Sequence, residues 1–228
     1  MNIGQELGLD ILDLGLIPFQ EAFACQLKVH NQVLVGKKPQ TLILCEHPRT
    51  ITLGRNSNIE DILDYQTIKN RQFDFVIGLN RGGEITYHGP GQLIGYLIFD
   101  LRKLNKDLGG FINRIEDSLI QTLSNYGIGA EKKSKFRGVW VGNKKIASIG
   151  IGVDRYVSLH GFALNVNTEL SDFSLIRPCV LEVGMTSIKK EKGFRVAIQE
   201  VKSVITKNFR SNFCLSNQPI EKAEVAYV

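Results

Sequence analysis

Cysteine, methionine and tryptophan are scarce in this 228-residue chain, at four, two and one residues. None of the cysteines, Cys25, Cys45, Cys179 and Cys214, stands in a CxxC pair or a ladder of short spacings. Neither a disulfide framework nor a zinc ribbon is expected, and a reducing cytoplasm fits best. The four histidines are scattered, with no HExxH and no Cys/His cluster, so no metal site is expected either. Only six residues are proline, and no low-complexity tract or internal repeat occurs, which excludes disordered and collagen-like chains. The longest uncharged stretch, 85–99, is broken by His88, Gly89, Pro90, Gly91 and Gly95 and is unsuited to a membrane span. The first basic residue is Lys28, preceded by Glu6, Asp10 and Asp13, the wrong sign for the start of a signal peptide.

What remains has the balance of an ordinary globular domain, long enough to bury a core without staples. The net charge of +5 is a moderate excess that favours acidic partners without choosing among them. Apolar runs at 9–16, 41–45, 73–79 and 93–100 read as strands, the last two flanking a glycine-rich loop. Pro18 opens a helical stretch with Phe19, Ala22, Phe23 and Gln26 on one face. Residues 109–127 carry Phe111, Ile112, Ile115, Leu119, Ile120 and Leu123 at helical spacing, and 194–213 repeat the pattern from Phe194 through Ile205. Between them 136–166 read as a β-meander whose first turn is Gly142-Asn143. This order predicts an α+β fold, a mixed sheet with packed helices, as one domain over 1–216 followed by a polar tail, 217–228.

Six of the 22 glycines fall between Gly78 and Gly95, and five more between Gly138 and Gly161. The first cluster, RGGEITYHGPGQLIGY from Arg81, is neither a Walker A loop nor GxGxxG at a strand-to-helix junction. Glycine alone allows either a pair of tight turns or a cradle for a ligand; Arg81, Tyr87 and His88 in the same stretch favour the cradle. In the second cluster, alternation puts Lys145, Ala147 and Ile149 on one face, and Lys145 is either a solvated strand-end lysine or a cation at a site. Cys25, Cys45 and Cys214 sit where cysteine acts as a small hydrophobe. Cys179 differs, because IRPCV places it behind a proline in a non-periodic segment. A thiol of ordinary pKa needs a nearby cation or base to react, and Lys145, His88 and His160 are the candidates. His160 with Asn165 also permits a protease-like Cys/His/Asn reading.

EHPRTITLGR (46–55), RGGEITYHGPGQLIGY (81–96), RGVWV with KKIASIGIGV (137–153), HGFALNV (160–166) and PCV…TSI (178–188) together resemble the lipoyl(octanoyl) transferase family. Those enzymes are octanoyl-[acyl-carrier-protein]:protein N-octanoyltransferases, and the five motifs occur in the family's order over nearly the whole chain. The resemblance implies a single-domain fold like that of biotin protein ligases and lipoate ligases, a cytoplasmic location, and acyl transfer without ATP, metal or other cofactor. The implied donor is octanoyl-acyl carrier protein. The implied acceptors are lipoyl domains of 2-oxoacid dehydrogenase E2 subunits and the glycine cleavage H protein; neither nucleic acid nor membrane is a partner. By motif position the nucleophile falls on Cys179 and the lysine that lowers its pKa on Lys145. Substrate contacts fall on Arg81, Gly82, Gly83, Glu84, Ile85, Thr86, Tyr87 and His88, on Ser148, Ile149 and Gly150, and on Gly161, Phe162 and Ala163.

The chain departs from the family pattern where Val180, β-branched and averse to φ > 0, follows the cysteine in place of glycine. Arg49 also stands where a less polar residue is usual. Lys132, Lys133 and Lys135 form a basic group suited to steering acidic partners. Two rival readings remain within the same fold: an ATP-dependent lipoate-protein ligase, and an inactive homologue that only binds acyl chains. A nucleic-acid-binding module is disfavoured, since RGG occurs once and the lysines are not interleaved with aromatics.

Overall fold

Residues 42–45 within the strand Gln40–Glu46 form an unbroken apolar run because both faces are covered: Leu42 and Leu44 enter one core, Ile43 and Cys45 another. The computed structural model describes residues 8–134, 136–177 and 184–213, together with the backbone of 216–222. In chain order the first half comprises β1 (Gly8–Leu16), α1 (Phe19–Leu34), β2 (Gln40–Glu46), β3 (Thr50–Leu53), α2 (Tyr65–Asn70), β4 (Asp74–Val76), β5 (Ile85–His88) and β6 (Gln92–Ile98). The second half comprises α3 (Leu108–Ser124), β7 (Glu131–Lys133), β8 (Phe136–Val141), β9 (Lys144–Asp154), β10 (Val157–Asn165), α4 (Ile188–Lys192), α5 (Ile198–Phe213) and β11 (Ser216–Lys222).

Eight strands form one mixed sheet in the order β11-β1-β2-β6-β10-β9-β8-β7, parallel at β11-β1-β2 and antiparallel beyond. Helices α3 and α5 cover one face. Asp107 caps α3 by accepting the Gly110 N–H at 2.8 Å, and its stripe Phe111, Ile115, Leu119 and Leu123 packs with Val201, Ile205 and Phe209 of α5 onto Leu9, Leu42 and Leu97. Helix α1 covers the other face, bringing Ala22, Val29 and Val33 against Ile43, Ile94 and Ile98. A smaller sheet, β4-β3-β5, has its own core of Ile51, Ile85, Tyr87, Phe173 and Ile176.

The mixed sheet with packed helices is the predicted α+β arrangement, with five local differences. A strand, β5, lies inside the glycine-rich stretch read as a loop, and the strand expected at 73–79 is only Asp74–Val76. Residues 217–222, read as tail, pair in parallel with β1, because main-chain ladders do not require apolar side chains. Helix α5 starts at Ile198, and Phe194 stays 58% exposed because Gly193, at φ 80°, has already ended α4. Finally, the β8/β9 register shifts between Val139↔Ala147 and Trp140↔Lys145, so Ile146 is an extra residue. Beyond that bulge Ile146 and Ala147 are both buried in the core, and Lys145 does not share the face of Ala147. Among the described residues no helix is long and apolar enough to cross a membrane.

Candidate functional site

A cavity of about 440 Å³ opens where β5, β9 and β10 meet the starts of α1 and α3. Fourteen of the fifteen predicted residues that the structure describes converge here: Arg81 to Thr86, His88, Lys145, Ser148, Ile149, Gly150, Gly161, Phe162 and Ala163 all line it, and Tyr87 alone does not. Phe19, Ile94, Tyr96, Leu108, Ile112, Phe136, Arg137, Ile151 and His160 complete the wall. Apart from His160, weighed as a base, these were not predicted as site residues; the aliphatic ones carry the same sequence signal as core positions. Tyr96 alone closes the glycine-rich motif and was open to inclusion.

Arg81 is the fixed cation of the site. It is 9% exposed, and its Nη2 donates to both the carbonyl and the hydroxyl oxygen of Thr52, at 2.9 Å each. Burial draws its pKa down to about 10, which leaves it charged at neutral pH. The loop that carries it lies so close to β9 that a Cβ on Gly150 would stand 2.9 Å from the Gly82 carbonyl oxygen. Only glycine allows that approach.

The imidazoles around Arg81 are neutral. His47 Nδ1 lies 2.7 Å from the Ile17 carbonyl oxygen and so carries the proton; Nε2 therefore accepts from the Tyr96 hydroxyl at 2.6 Å. His88 Nδ1 donates to Gln92 Oε1 at 2.8 Å, and burial first, then His47 and Arg81, press its pKa down to about 3 despite that bond. His160 is held at φ 61° within a strand, an uncommon conformation for a residue with a side chain. Its N–H donates to Gln26 Oε1 at 3.0 Å, its ring stacks on Phe23 at 5.6 Å, and its Nε2 donates to Asn80 Oδ1 at 2.9 Å. Burial and the cations Arg81 and Arg55 lower its pKa to about 4. Asn165 does not contact His160 but bonds to Gln92 and Thr186, so the protease-like pairing is not formed.

Lys145 reaches the cavity from the β-bulge, with Nζ 4.9 Å from the centre of the buried Trp140 ring. Its N–H donates to the Gly184 carbonyl at 2.9 Å, and its own carbonyl accepts the Thr186 N–H at 3.0 Å. Cys179 and Val180 lie outside the described residues. The described chain resumes at Gly184, directly against Lys145.

Tyr87 is the one described site residue that the structure directs elsewhere. Its side chain is buried in the small sheet's core, and its hydroxyl donates to Asp172 Oδ2 at 2.8 Å. Neighbours on a strand face opposite ways, so Thr86 and His88 at the cavity leave Tyr87 on the far side. Arg49 and Arg71 bond the same buried carboxylate at 3.1 and 2.8 Å, which gives the unusual Arg49 its structural role. A second depression, of about 650 Å³, lies beyond Tyr87 and is lined by charges of both signs, Glu46, Arg49, Glu169, Lys189 and Arg195 among them. Of the basic group read as steering, Lys132 is paired with Asp117 at 2.7 Å, Lys133 lies 4.9 Å over the Trp140 ring, and Lys135 is outside the described residues.

The lipoyl protein ligase A/B catalytic domain family matches residues 18–210. The chain is 44% identical over 195 residues to an octanoyltransferase of Solibacter usitatus, covering 84% of this chain and 88% of that one. It is 41% identical over 224 residues to an octanoyltransferase of Caldanaerobacter subterraneus subsp. tengcongensis, covering 96% of each. Among solved structures, a lipoate-protein ligase A bound with ATP aligns with TM-score 0.78 at 16% identity, over 97% of this chain and 90% of that one. A bi-partite lipoate protein ligase of Thermoplasma acidophilum, described with its E2 lipoyl domain, gives 0.72 at 16% over 96% and 88%. A biotin protein ligase of Aquifex aeolicus gives 0.53 at 11% over 91% and 70%. At these identities the structural likeness speaks for the fold, which is that of lipoate and biotin ligases.

Proposed function

Because the chain belongs to the lipoyl protein ligase A/B catalytic domain family, in its octanoyltransferase branch, we propose that it moves an octanoyl group from acyl carrier protein to a lysine of a lipoyl domain. It is an acyltransferase, and the observation that carries the reading is the cavity in which three of the separated motifs, 81–96, 137–153 and 160–166, meet around Lys145 and Arg81.

The chemistry runs through Cys179 as nucleophile. The Lys145 ammonium stabilises the Cys179 thiolate, which attacks the octanoyl thioester carbon; the carrier sulfur departs and takes the Lys145 proton. The acceptor lysine, arriving as a neutral amine, then attacks the enzyme thioester. Neutral Lys145 takes the amine's proton, the amide forms, and Cys179 leaves as thiolate. The amide is more stable than either thioester, so no ATP enters. Support for pairing Lys145 with Cys179 comes from the chain itself: Gly184, a few residues beyond the cysteine, is hydrogen-bonded to Lys145. The apolar wall of Phe19, Ile94, Ile112, Phe162 and Ala163 suits the acyl tail. At about 0.8 kcal/mol per methylene, a tail of roughly eight carbons contributes on the order of 5 kcal/mol.

Lipoyl domains of E2 subunits and of the glycine cleavage H protein are the proposed acceptors, and the cytoplasm the proposed compartment. The T. acidophilum ligase described with its E2 lipoyl domain has the same fold, which supports that class of acceptor.

Intact-protein mass spectrometry after mixing with octanoyl-loaded acyl carrier protein, without ATP or metal, tests the reading. A hydroxylamine-labile octanoyl adduct is expected on the wild type and is expected to be absent from Cys179→Ala. Absence of both adduct and transfer to a lipoyl domain would overturn it.

A further inference from the structure

Beneath the cavity runs a chain of hydrogen bonds that all point one way. Arg81 Nη2 donates to Thr52 Oγ1 at 2.9 Å, and the Thr52 hydroxyl is turned to His88 Nε2 at 3.4 Å. His88 Nδ1 donates to Gln92 Oε1 at 2.8 Å, Gln92 Nε2 donates to Asn165 Oδ1 at 3.0 Å, and Asn165 Nδ2 donates to the Thr186 carbonyl at 3.0 Å. The Thr186 N–H in turn reaches the Lys145 carbonyl.

The direction is fixed by the ends. A guanidinium can only donate and a carbonyl oxygen can only accept, so neither the His88 tautomer nor the two amide orientations can reverse without leaving a buried group unpaired. Gln92 and Asn165 are 2% and 1% exposed, where an unpaired polar atom costs about 1–3 kcal/mol. At both positions the carboxamide offers an acceptor to one neighbour and a donor to the next, which a carboxylate of the same shape cannot do. Neither residue lines the cavity.

We propose that Gln92 and Asn165 are positioning residues for acyl transfer: they hold Gly184–Thr186 in register beside Lys145 and thereby fix the end of the segment that carries the nucleophile. The inference rests on the acyl-enzyme reading above. The main-chain pairing Lys145↔Met185 is an isolated bridge rather than part of a ladder, so the Asn165 bond to Thr186 is a substantial share of what holds that segment down.

Asn165→Asp keeps the acceptor for Gln92 but has no N–H for Thr186. Gln92→Glu keeps the acceptor for His88 but presents only lone pairs to Asn165, whose amide then turns over and faces Thr186 with its oxygen. Both variants and the wild type are assayed by single-turnover octanoylation across octanoyl-acyl carrier protein concentrations, with thermal unfolding followed in parallel.

The expected result is a fall in the maximal acylation rate of about tenfold or more, the size of one lost hydrogen bond, with half-saturating donor within about twofold because the cavity wall is intact. Should Asn165→Asp not fold, Gln92→Glu reads the same link from its other end. A folded variant acylated at the wild-type maximal rate, or slowed only through half-saturation, would overturn the inference while leaving the acyl-enzyme reading standing. A wild type that forms no adduct removes that reading, and the positioning role with it.

Discussion

Gly138 lies against the stem of Lys145: a Cβ built on the glycine would stand 3.3 Å from Lys145 Cε and 2.6 Å from the Ala147 carbonyl oxygen. The glycine also adopts φ 125°, and its N–H donates to the buried carboxylate of Glu116 on α3 at 3.1 Å. The helix, the strand and the bulge on β9 thus meet behind one side chain, and the position of the Lys145 ammonium depends on a hydrogen atom where any other residue would put carbon.

Gly138→Ala is therefore expected to push the lysine stem aside and to slow acyl transfer at least tenfold. Gly142→Ala is the control for a positive-φ glycine with open space around it. Gly142 also has positive φ, 55°, but an added Cβ there meets nothing within 4 Å. Backbone strain is about 1 kcal/mol at Gly142, in the left-handed well, and about 1–3 kcal/mol at Gly138, whose φ lies outside it, so thermal unfolding is followed alongside transfer to separate strain from displacement of the lysine. Equal transfer rates for the two would show that Lys145 is not displaced.

Tyr87→Phe separates a structural role from a substrate contact. The change strips one hydrogen bond from buried Asp172 and leaves Arg49 and Arg71 to hold it. A bond to a charged group contributes roughly 1.5–3 kcal/mol, which at about 2–4 °C per kcal/mol for a chain this size lowers the melting temperature by about 3–12 °C. The octanoylation rate of the folded protein is expected to be unchanged. A marked rise in KM for the acyl donor would return Tyr87 to the cavity.

Ala163 lines the cavity between its strand partners Ser148 and Ile94, and it is 6% exposed. Ala163→Leu takes up space that the tail would fill. Each methylene excluded costs about 0.8 kcal/mol, close to fourfold in binding. In competition between hexanoyl and octanoyl donors the variant is expected to move toward the shorter chain, and an unaltered ratio would count against Ala163 as part of the acyl wall.

Periodicity made much of this fold legible. The stripes Phe111–Ile115–Leu119 and Val201–Ile205 are where the helical repeat puts them, and the apolar runs within β2 and β6 are buried on both faces. The cavity was legible through glycine, since Gly150 and Gly161 mark places where backbone must approach closely and Gly83 takes a φ of 88°. Alternation fails where a strand is covered on both sides or bulged. It could not tell the core side of Tyr87 from the cavity side of His88, and the extra residue Ile146 reversed the expected face of Lys145. The Asp172 cluster joins positions 49, 71, 87 and 172 from separate elements, and no local pattern links them. The strand at 216–222 was hidden because its pairing is main-chain and its composition polar.

Acid should destabilise the protein before its carboxylates titrate. His88 and His160 are buried in neutral form, with pKa values of about 3 and 4 against about 6.5 in the unfolded chain. Above pH 6.5 neither state binds the extra protons and stability is complete. Below it the unfolded chain is protonated while the native one is not, so stability falls until the native pKa is reached. At pH 5 this amounts to about 2 kcal/mol per histidine. The carboxylates with lowered pKa, Asp64, Asp100 and Glu169, begin to contribute only as pH drops toward their ordinary range near 4. Melting temperatures measured from pH 7 to pH 5 should therefore decline, and His160→Gln, which cannot be protonated in either state, should decline less. A profile that is flat over this interval would mean that the imidazoles take up protons alike in the native and unfolded chain and that Arg81 does not stand beside neutral rings, and one equally steep in the variant would remove His160 as a source of the decline.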